Sequence, residues 1–149
     1  MGESHTIPSR EEIDVYGDLD GRDACKNFLG KTLDEAEVLF RENSIRYQMD
    51  LLWMGPVAFR FYIRAAIRYV ESEHATGDSD IINGLAGTFR FRLEHEPAEL
   101  RSIASSLADF CSYVIEHFDR FDVDSAIYGD LHGDYSALVS AFRHLTSIG

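Results

Sequence analysis

The sequence predicts an all-α fold, a single domain of about six helices. Apolar residues recur three and four positions apart over long stretches, which is typical of helices that are buried on one side. Ser, Thr, Asp, Gly and Pro stand where helices with that spacing would begin and end. No stretch alternates apolar and polar residues for long enough to build a sheet, so we expect helices packed on helices.

Three short helices are predicted in the N-terminal third. Two of them begin with a Ser or Thr that is followed three residues later by Glu, which is the pattern of a capping box. The helix between them is expected to stop at a glycine in the left-handed conformation. The capping pairs are Ser9 with Glu12 and Thr32 with Glu35, and the helices end near Gly17, at Gly30 after Ala24–Leu29, and near Asn43.

The middle of the chain combines two ambiguous stretches with one clear helix. Residues 46–54 fit either an extended segment or a helix, and we favour helix. Gly55 then breaks the chain, and Pro56 fits the first position of a long helix to about Ser72. Residues 81–93 follow helical spacing but alternate like a strand at their C-terminal end. The aspartates that precede them can cap a helix, so helix is again favoured.

The strongest helical pattern begins at Pro97 and continues to Phe118. Its apolar residues form one stripe over about five turns. A last helix follows, for which Asp134 is the expected cap. The stripe consists of Leu100, Ile103, Ala104, Leu107, Cys111, Val114, Ile115 and Phe118, and the last helix carries Leu138, Ala141, Phe142 and Leu145.

Composition and charge narrow the possible functions. The chain has 149 residues and a net charge of -12, and a chain of this size forms one domain that can bury about 68–70% of its unfolded surface. Between Glu94 and Asp134, ten acids stand against Arg101 and Arg120. This acidic region would repel a phosphate backbone, so we predict no nucleic-acid binding. An excess of acidic residues either keeps a protein soluble or attracts a basic partner.

Localisation is predicted from the N-terminus, the longest apolar tract and the cysteines. The N-terminus is polar and acidic, without an apolar leader, so we expect a cytoplasmic protein. Arg60, Arg64 and Arg68 interrupt the apolar tract, and a central Arg costs roughly 2.5–3.5 kcal/mol in a bilayer, so no membrane span is predicted. Cys25 and Cys111 have no metal-type spacing and are expected to be ordinary thiols in a reducing compartment.

The heptapeptide IYGDLHG, residues 127–133, resembles the first motif of calcineurin-like metallophosphoesterases. The resemblance implies that Asp130 and His132 are ligands of a two-metal site. Such a site needs ligands from several loops, and the other ligand motifs of that family do not occur in this sequence. We therefore predict a turn and a helix cap here. The near-copy VYGDLDG, residues 15–21, is interpreted in the same way, with its Tyr packed on the core.

The acids around this motif keep a second function open. A hard cation prefers oxygen ligands, but the spacing of these acids does not fit a calcium loop of the EF-hand type. No metalloprotease, serine-hydrolase or phosphate-loop motif occurs, and no cofactor is predicted. A small metal-dependent hydrolase that uses the acidic C-terminal third is the alternative function. Its candidate ligands are Asp119, Asp122, Asp124, Asp130, His132 and Asp134.

Three arginines spaced by four residues form a cationic stripe on the helix that begins at Pro56. A buried Arg needs water or a carboxylate. The stripe therefore either pairs with the chain's own acids or lines a groove for an anionic ligand or an acidic partner segment, with aromatic walls. The candidate residues are Arg60, Arg64 and Arg68 with Tyr62, Tyr69 and Trp53.

The segment VLFRENSIRYQMDLLWMGPVAFRFYIRAAIRYV, with Ala58, Phe59 and Tyr62 at its core, resembles small bacterial proteins of unknown function. The resemblance covers residues 31–71 and implies a bacterial origin without implying an activity. Small size, acidity and the lack of a catalytic constellation favour a non-enzymatic module that binds another protein. An immunity- or antitoxin-like role is a specific version of this hypothesis.

Overall fold

The computed structural model describes residues 6–147 and confirms the all-α prediction. The structure is 81% helical, and the described residues contain nine α-helices and no strand. The helix count exceeds the predicted six partly because the turn segment at residues 125–128 is itself a helix of one turn. Between residues 6 and 147, no helix combines the length and the apolar character that crossing a membrane requires.

The chain divides into two compact units, one ending at His74 and the other beginning at Ala75. The prediction that the whole chain forms one domain stays a prediction. The first unit contains α1 (Arg10–Ile13), α2 (Leu19–Phe28), α3 (Leu33–Glu42), α4 (Ser44–Trp53) and α5 (Pro56–Glu71). The second unit contains α6 (Ser79–His95), α7 (Ala104–Glu116), α8 (Ser125–Tyr128) and α9 (Leu131–Ser147). Short 3-10 helices lie at Glu73–Ala75, Pro97–Ile103 and Phe118–Phe121.

Local capping signals fix the helix starts of the first unit. The Ser9 hydroxyl accepts a hydrogen bond from the Glu12 backbone, and the Glu12 carboxylate accepts one from the Ser9 backbone at 2.8 Å. Thr32 and Glu35 make the same two bonds at the start of α3, at 3.1 and 2.9 Å. Both predicted capping boxes are therefore confirmed, because the pattern depends only on residues three apart.

The core of the first unit is built around aromatic side chains on α2, α3 and α5. The Phe28 ring lies 4.9 Å from the Tyr62 ring and 6.0 Å from the Phe40 ring, and all three are fully buried. The Tyr62 hydroxyl lies 2.8 Å from the carbonyl oxygens of Phe28 and Lys31, and it shares its one proton between them. This contact ties the connection between α2 and α3 to the middle of α5.

Gly55, between α4 and α5, allows a close approach to α1. Its N–H donates to the Ile13 carbonyl at 3.0 Å. A Cβ at this position would lie 2.4 Å from the Glu12 carbonyl oxygen, a distance that real side chains do not adopt. The break before α5 is thus also the point where the end of α1 is held.

The second unit packs α7 along α9, with α6 against α9. Its core contains Phe89, whose ring lies 5.5 Å from Phe142 and 6.1 Å from Phe110. The buried Tyr135 hydroxyl donates to the Ile82 carbonyl at 2.7 Å. The helix predicted from Pro97 to Phe118 forms in two parts, a 3-10 helix to Ile103 and then α7.

The two copies of the heptapeptide form the same helix start. In each, the first Gly has a positive φ, 67° at Gly17 and 73° at Gly129, where side chains are disfavoured. The following Asp accepts a hydrogen bond from the second Gly, three residues on. The bonds are Asp18 with Gly21 at 2.8 Å, before α2, and Asp130 with Gly133 at 2.9 Å, before α9.

Two details of these helix starts correct the sequence-based expectations. The cap of α9 is Asp130, so the helix begins before Asp134. The Asp134 carboxylate instead pairs with Arg90 at 3.1 Å, because its place in the first turn directs it sideways. Neither tyrosine packs on the core. Tyr16 is 74% exposed, and the hydroxyl of the half-buried Tyr128 donates to Asp80.

Both cysteines are buried free thiols. Cys25, on α2, lies with its Sγ 3.5 Å from the Arg10 carbonyl oxygen. Cys111, on α7, is fully buried. Burial raises the pKa of both thiols, because a thiolate loses its hydration inside the protein.

Candidate functional site

An open groove of about 520 Å³ lies on the first unit, where the start of α3 meets one side of α5. The α5 residues that line it are Phe61, Arg64 and Arg68. Successive helical residues are about 100° apart, so these three lie within about 60° of one another around the helix. The groove is completed by Ile7, before α1, and by Thr32, Leu33 and Asp34 at the start of α3.

The two arginines of the groove have different surroundings. The Arg68 guanidinium lies 3.2 Å from the Asp34 carboxylate, and the two side chains are 49% and 93% exposed. The Arg64 guanidinium lies 4.9 Å from the centre of the Phe61 ring, and its Nε donates to the Phe61 carbonyl at 3.3 Å. The groove lining therefore carries two cations and one carboxylate beside apolar surface.

The cap of α3 adds a fixed carboxylate near this groove. Glu35 accepts hydrogen bonds from the Thr32 backbone and side chain, and these bonds lower the pKa of the Glu35 carboxyl. The bonds hold the Glu35 carboxylate at the helix start, where the partial positive charge of the helix favours an anion.

The structure separates the six residues that the sequence proposed as one site. Arg64 and Arg68 line the groove, whereas Arg60 is half-buried outside it, earlier on α5. Tyr62 and Tyr69 are buried in the core, at 0% and 4% exposure. Burial also raises the pKa of Tyr62 to about 12. Trp53 lies at the end of α4 and is 37% exposed.

Phe61, Leu33 and Ile7 belong to the groove but were missed by the sequence interpretation. Phe61 carries a signal that could have identified it, because a residue three positions before Arg64 lies on the same side of a helix. Tyr62 carries the opposite signal, since it lies about 160° from Arg64 around α5. Leu33 and Ile7 reach the groove through the fold of the chain, and no local pattern places them there.

A second pocket, of about 330 Å³, lies on the second unit beside the end of α7. The His132 ring meets the Phe118 ring edge-on at 5.3 Å. The His117 ring stacks on Tyr113 at 4.2 Å, and its Nδ1 lies 3.0 Å from the Tyr113 carbonyl oxygen. The pocket is lined by Ile115, Glu116, His117, Phe118, Asp119, Arg120 and His132.

The residues proposed as metal ligands have structural contacts of their own. Asp130 caps α9, and His132 lies against Phe118. Asp124 caps α8 by accepting from the Ala126 backbone at 2.9 Å. Among residues 6–147, no three His, Cys, Asp or Glu side chains come together as a set that could hold a metal ion.

A buried carboxylate on α4 was not singled out by the sequence. Asp50 is 7% exposed, and its Oδ2 accepts a hydrogen bond from the Asn27 amide at 2.7 Å. The pKa of Asp50 is raised to about 6, chiefly by burial and also by the nearby charges of Asp23 and Asp20, against the hydrogen bond from Asn27 and the charge of Arg46. This site is a polar contact between α2 and α4 inside the first unit.

Arg92, on α6, is a buried cation in the second unit. It is 2% exposed and pairs with the Glu96 carboxylate one turn later, at the end of the helix. A buried guanidinium requires such a partner. Its contacts indicate a structural role, and the spacing of four residues between Arg and Glu is the sequence signal for it.

No family model, curated protein or solved structure matches the chain. A function therefore has to be inferred from the chain's own residues. The groove on α3 and α5 combines charge, apolar surface and open access, and it includes two of the arginines that the sequence singled out.

Proposed function

We propose that the chain is a non-enzymatic protein-binding module whose groove on α3 and α5 receives an acidic segment of a protein partner. The observation that carries this proposal is the position of Arg64 and Arg68 in an open groove beside apolar side chains. In a chain of net charge -12, the two guanidinium groups in the groove lining outnumber the one carboxylate of that lining, Asp34, and the Glu35 carboxylate lies nearby in the cap of α3. An immunity- or antitoxin-like role is a specific form of this proposal and rests on size and charge.

Carboxylates are the natural ligands of these arginines. A guanidinium group binds a carboxylate through two parallel hydrogen bonds, which fixes geometry as well as charge. The Arg68–Asp34 pair is exposed, and such surface pairs contribute only about 0–1 kcal/mol. A partner carboxylate can therefore replace Asp34 at little cost. Arg64 is held over the Phe61 ring, so it loses little freedom on binding.

The apolar part of the groove indicates what else the partner segment carries. Ile7, at 37% exposure, and the half-buried Leu33 supply apolar surface that an aliphatic or aromatic side chain can cover, whereas the Phe61 ring is 4% exposed. The groove volume of about 520 Å³ lies within the usual range of binding pockets. We therefore expect a segment in which Asp or Glu stands close to an apolar residue.

Selection from a random peptide library displayed on phage tests this proposal, because the library samples many candidate segments at once. The expected result is enrichment of peptides that combine acidic and apolar residues. Their affinity, measured by fluorescence anisotropy of a labelled synthetic peptide, should fall as salt rises, because exposed charges are screened. Enrichment of basic or wholly apolar peptides would contradict the proposal.

Two charge-reversed proteins locate the binding surface. Arg64→Glu combined with Arg68→Glu should weaken binding of the selected peptide by at least about tenfold, as expected for removal of attractive charge pairs. Arg101→Glu is the matched control, because Arg101 is exposed on the second unit; it should leave the affinity unchanged. Equal binding by the groove variant and the control would overturn the proposal.

A further inference from the structure

The first copy of the heptapeptide forms an exposed turn that leads into α2, and we name residues 15–20 the α1–α2 turn. Every residue of this turn is exposed. Its Tyr16 and Leu19 side chains are the two most exposed large apolar side chains in the part of the chain that the structure describes, at 74% and 73%. The turn therefore presents apolar surface that the core of the first unit does not use.

The second copy of the heptapeptide shows that this exposure is not a property of the motif. Leu131, which corresponds to Leu19, is buried, and Tyr128, which corresponds to Tyr16, is half-buried and donates to Asp80. The backbone is alike in both copies, with a positive φ at the first Gly and a capping Asp after it. The first copy thus leaves its Tyr and Leu accessible to another molecule.

Exposed carboxylates flank the apolar side chains of the turn. Asp18 and Asp20 stand on either side of Leu19 in the sequence, and both are exposed. One oxygen of Asp18 accepts from the backbone N–H three residues later at 2.8 Å, and a carboxylate has a second oxygen that can accept from another donor. The neighbouring cation, Arg22, donates to a carbonyl of the turn itself at 3.4 Å. The turn therefore presents an acidic, an apolar and an acidic side chain in succession.

The groove on α3 and α5 matches this succession in charge and spacing. Arg64 and Arg68 are four residues apart on α5, which is about 6 Å along the helix axis. Asp18 and Asp20 are two residues apart, so their Cα atoms are separated by roughly 5–7 Å, given about 3.8 Å between consecutive Cα atoms. The two acids therefore have about the spacing of the two arginines, and the groove lining also carries apolar surface that Leu19 can cover.

We propose that the partner of the groove is a second copy of this chain, whose α1–α2 turn occupies the groove. This inference rests on the proposed function, because it names the segment that the groove receives. Asp18 and Asp20 of one copy pair with Arg64 and Arg68 of the other. The net charge of -12 on each copy acts against association at long range. At physiological ionic strength, however, exposed charges farther apart than about 8 Å are largely screened, so the groups in contact decide the affinity.

A synthetic peptide of residues 13–23, labelled with fluorescein, tests the contact without the rest of the second copy. Fluorescence anisotropy should show saturable binding to the intact chain. Arg64→Glu combined with Arg68→Glu should weaken this binding by at least about tenfold, because attractive charge pairs are lost. The matched control is the same peptide with Asp18→Lys and Asp20→Lys, and it should bind the wild-type chain at least about tenfold more weakly.

Two variants of the whole chain complement each other, because the turn and the groove are different surfaces. The turn variant, Leu19→Ser with Asp20→Lys, keeps its groove, and the groove variant, Arg64→Glu with Arg68→Glu, keeps its turn. Circular dichroism shows that both are folded. Sedimentation velocity should show association of the wild type, a monomer for each variant alone, and a dimer for their mixture.

Ile127→Ser is the control for the loss of an exposed apolar side chain. Ile127 belongs to the second copy of the heptapeptide and is 70% exposed, so this variant should associate like the wild type. A wild-type chain or a mixture of the two variants that stays monomeric would overturn the inference. Association that persists in each variant alone would also overturn it, because another surface would then hold the copies together.

Failure of this inference is distinguishable from failure of the proposed function. If peptides selected from the phage library bind the groove while the chain does not associate through it, the groove receives a segment of a different protein, and only the inference is wrong. If neither the selected peptides nor the peptide of residues 13–23 bind the groove, both the inference and the proposed function are wrong.

Discussion

Two consecutive helices of the first unit, α4 and α5, distribute their side chains in opposite ways. On α5, the inward side is apolar and the outward side carries Arg64 and Arg68, which is the usual arrangement of a helix on a core. On α4, Asp50 and Gln48 lie inside while Met49 lies outside. The difference teaches that helical spacing alone does not fix which side of a helix is buried, because α5 buries apolar side chains along its inward side whereas α4 buries polar side chains beside Leu51.

The largest expected effect comes from truncating one apolar side chain on each helix. Phe59→Ala, on α5, removes a fully buried ring and should lower the free energy of unfolding by about 3–5 kcal/mol. Met49→Ala, on α4, should change it by less than about 0.5 kcal/mol, because the side chain is exposed. Urea unfolding followed by circular dichroism measures both. Equal losses would show that the Met49 side chain also stabilises the fold.

The buried carboxylate of α4 should make stability depend on pH. Because the pKa of Asp50 is raised to about 6, its protonated form is favoured in the folded state, and stability falls as pH rises from about 4 to above 6. Asp50→Asn should therefore stabilise the chain by about 2 kcal/mol at about pH 8 and have little effect at about pH 4.

The control for this prediction is Glu42→Gln, which changes an exposed carboxylate at the end of α3. It should shift stability by only a few tenths of a kcal/mol at any pH, roughly the scale of an exposed charge. Unfolding curves at both pH values decide the matter. If Asp50→Asn lowers the free energy of unfolding at both pH values, the prediction is wrong. The hydrogen bond from Asn27 would then stabilise the fold by more than the burial of the Asp50 charge destabilises it.

A smaller effect is expected from the hydroxyl that anchors α5. Tyr62→Phe removes the buried hydrogen bond to the carbonyls of Phe28 and Lys31, and it should cost about 1–2 kcal/mol because those carbonyls lose a donor. Tyr47→Phe on α4, where the ring is half-buried, is the counterpart and should cost less. Thermal unfolding compares the two. A larger loss of stability in Tyr47→Phe than in Tyr62→Phe would show that the hydroxyl on α4 contributes more to the fold than the one on α5.

The smallest effect is expected at the groove. Arg68→Ala and Asp34→Ala should each change the free energy of unfolding by less than about 0.5 kcal/mol, since the pair is exposed. A double-mutant cycle with both substitutions should give a coupling energy of similar size. A coupling well above about 1 kcal/mol would mean that Arg68 is committed to the fold and is not available to a partner.

Local signals predicted the helix starts that depend on neighbouring residues. Pro56 fixed the beginning of α5, and the two capping boxes placed α1 and α3. The start of α9 was placed too late because both Asp130 and Asp134 fit the role of a cap. Which aspartate caps α9 depends on the turn at Gly129. The positive φ of Gly129 directs the chain into the helix directly after Asp130, four residues before Asp134.

The candidate site was predictable only in part, because burial depends on distant residues. Spacing by four correctly placed Arg64 and Arg68 on one side of α5. The same geometry excludes Tyr62 from that side of α5. Tyr62 was nevertheless grouped with the arginines because it lies close to them in the sequence. For α4, helical spacing places Ile45, Met49 and Trp53 on one side of the helix without showing which side faces inward. That choice is set by the packing of α2 and α3 against it.

The two buried thiols, Cys25 and Cys111, allow local opening of the chain to be measured in two places. Cys25 belongs to the part up to His74 and Cys111 to the part from Ala75 onward, so a thiol reagent such as Ellman's can modify each one only when its surroundings open. Reaction rates of the Cys25→Ser and Cys111→Ser proteins then report the two halves separately. Equal rates mean that the halves open together, and unequal rates identify the half that opens first.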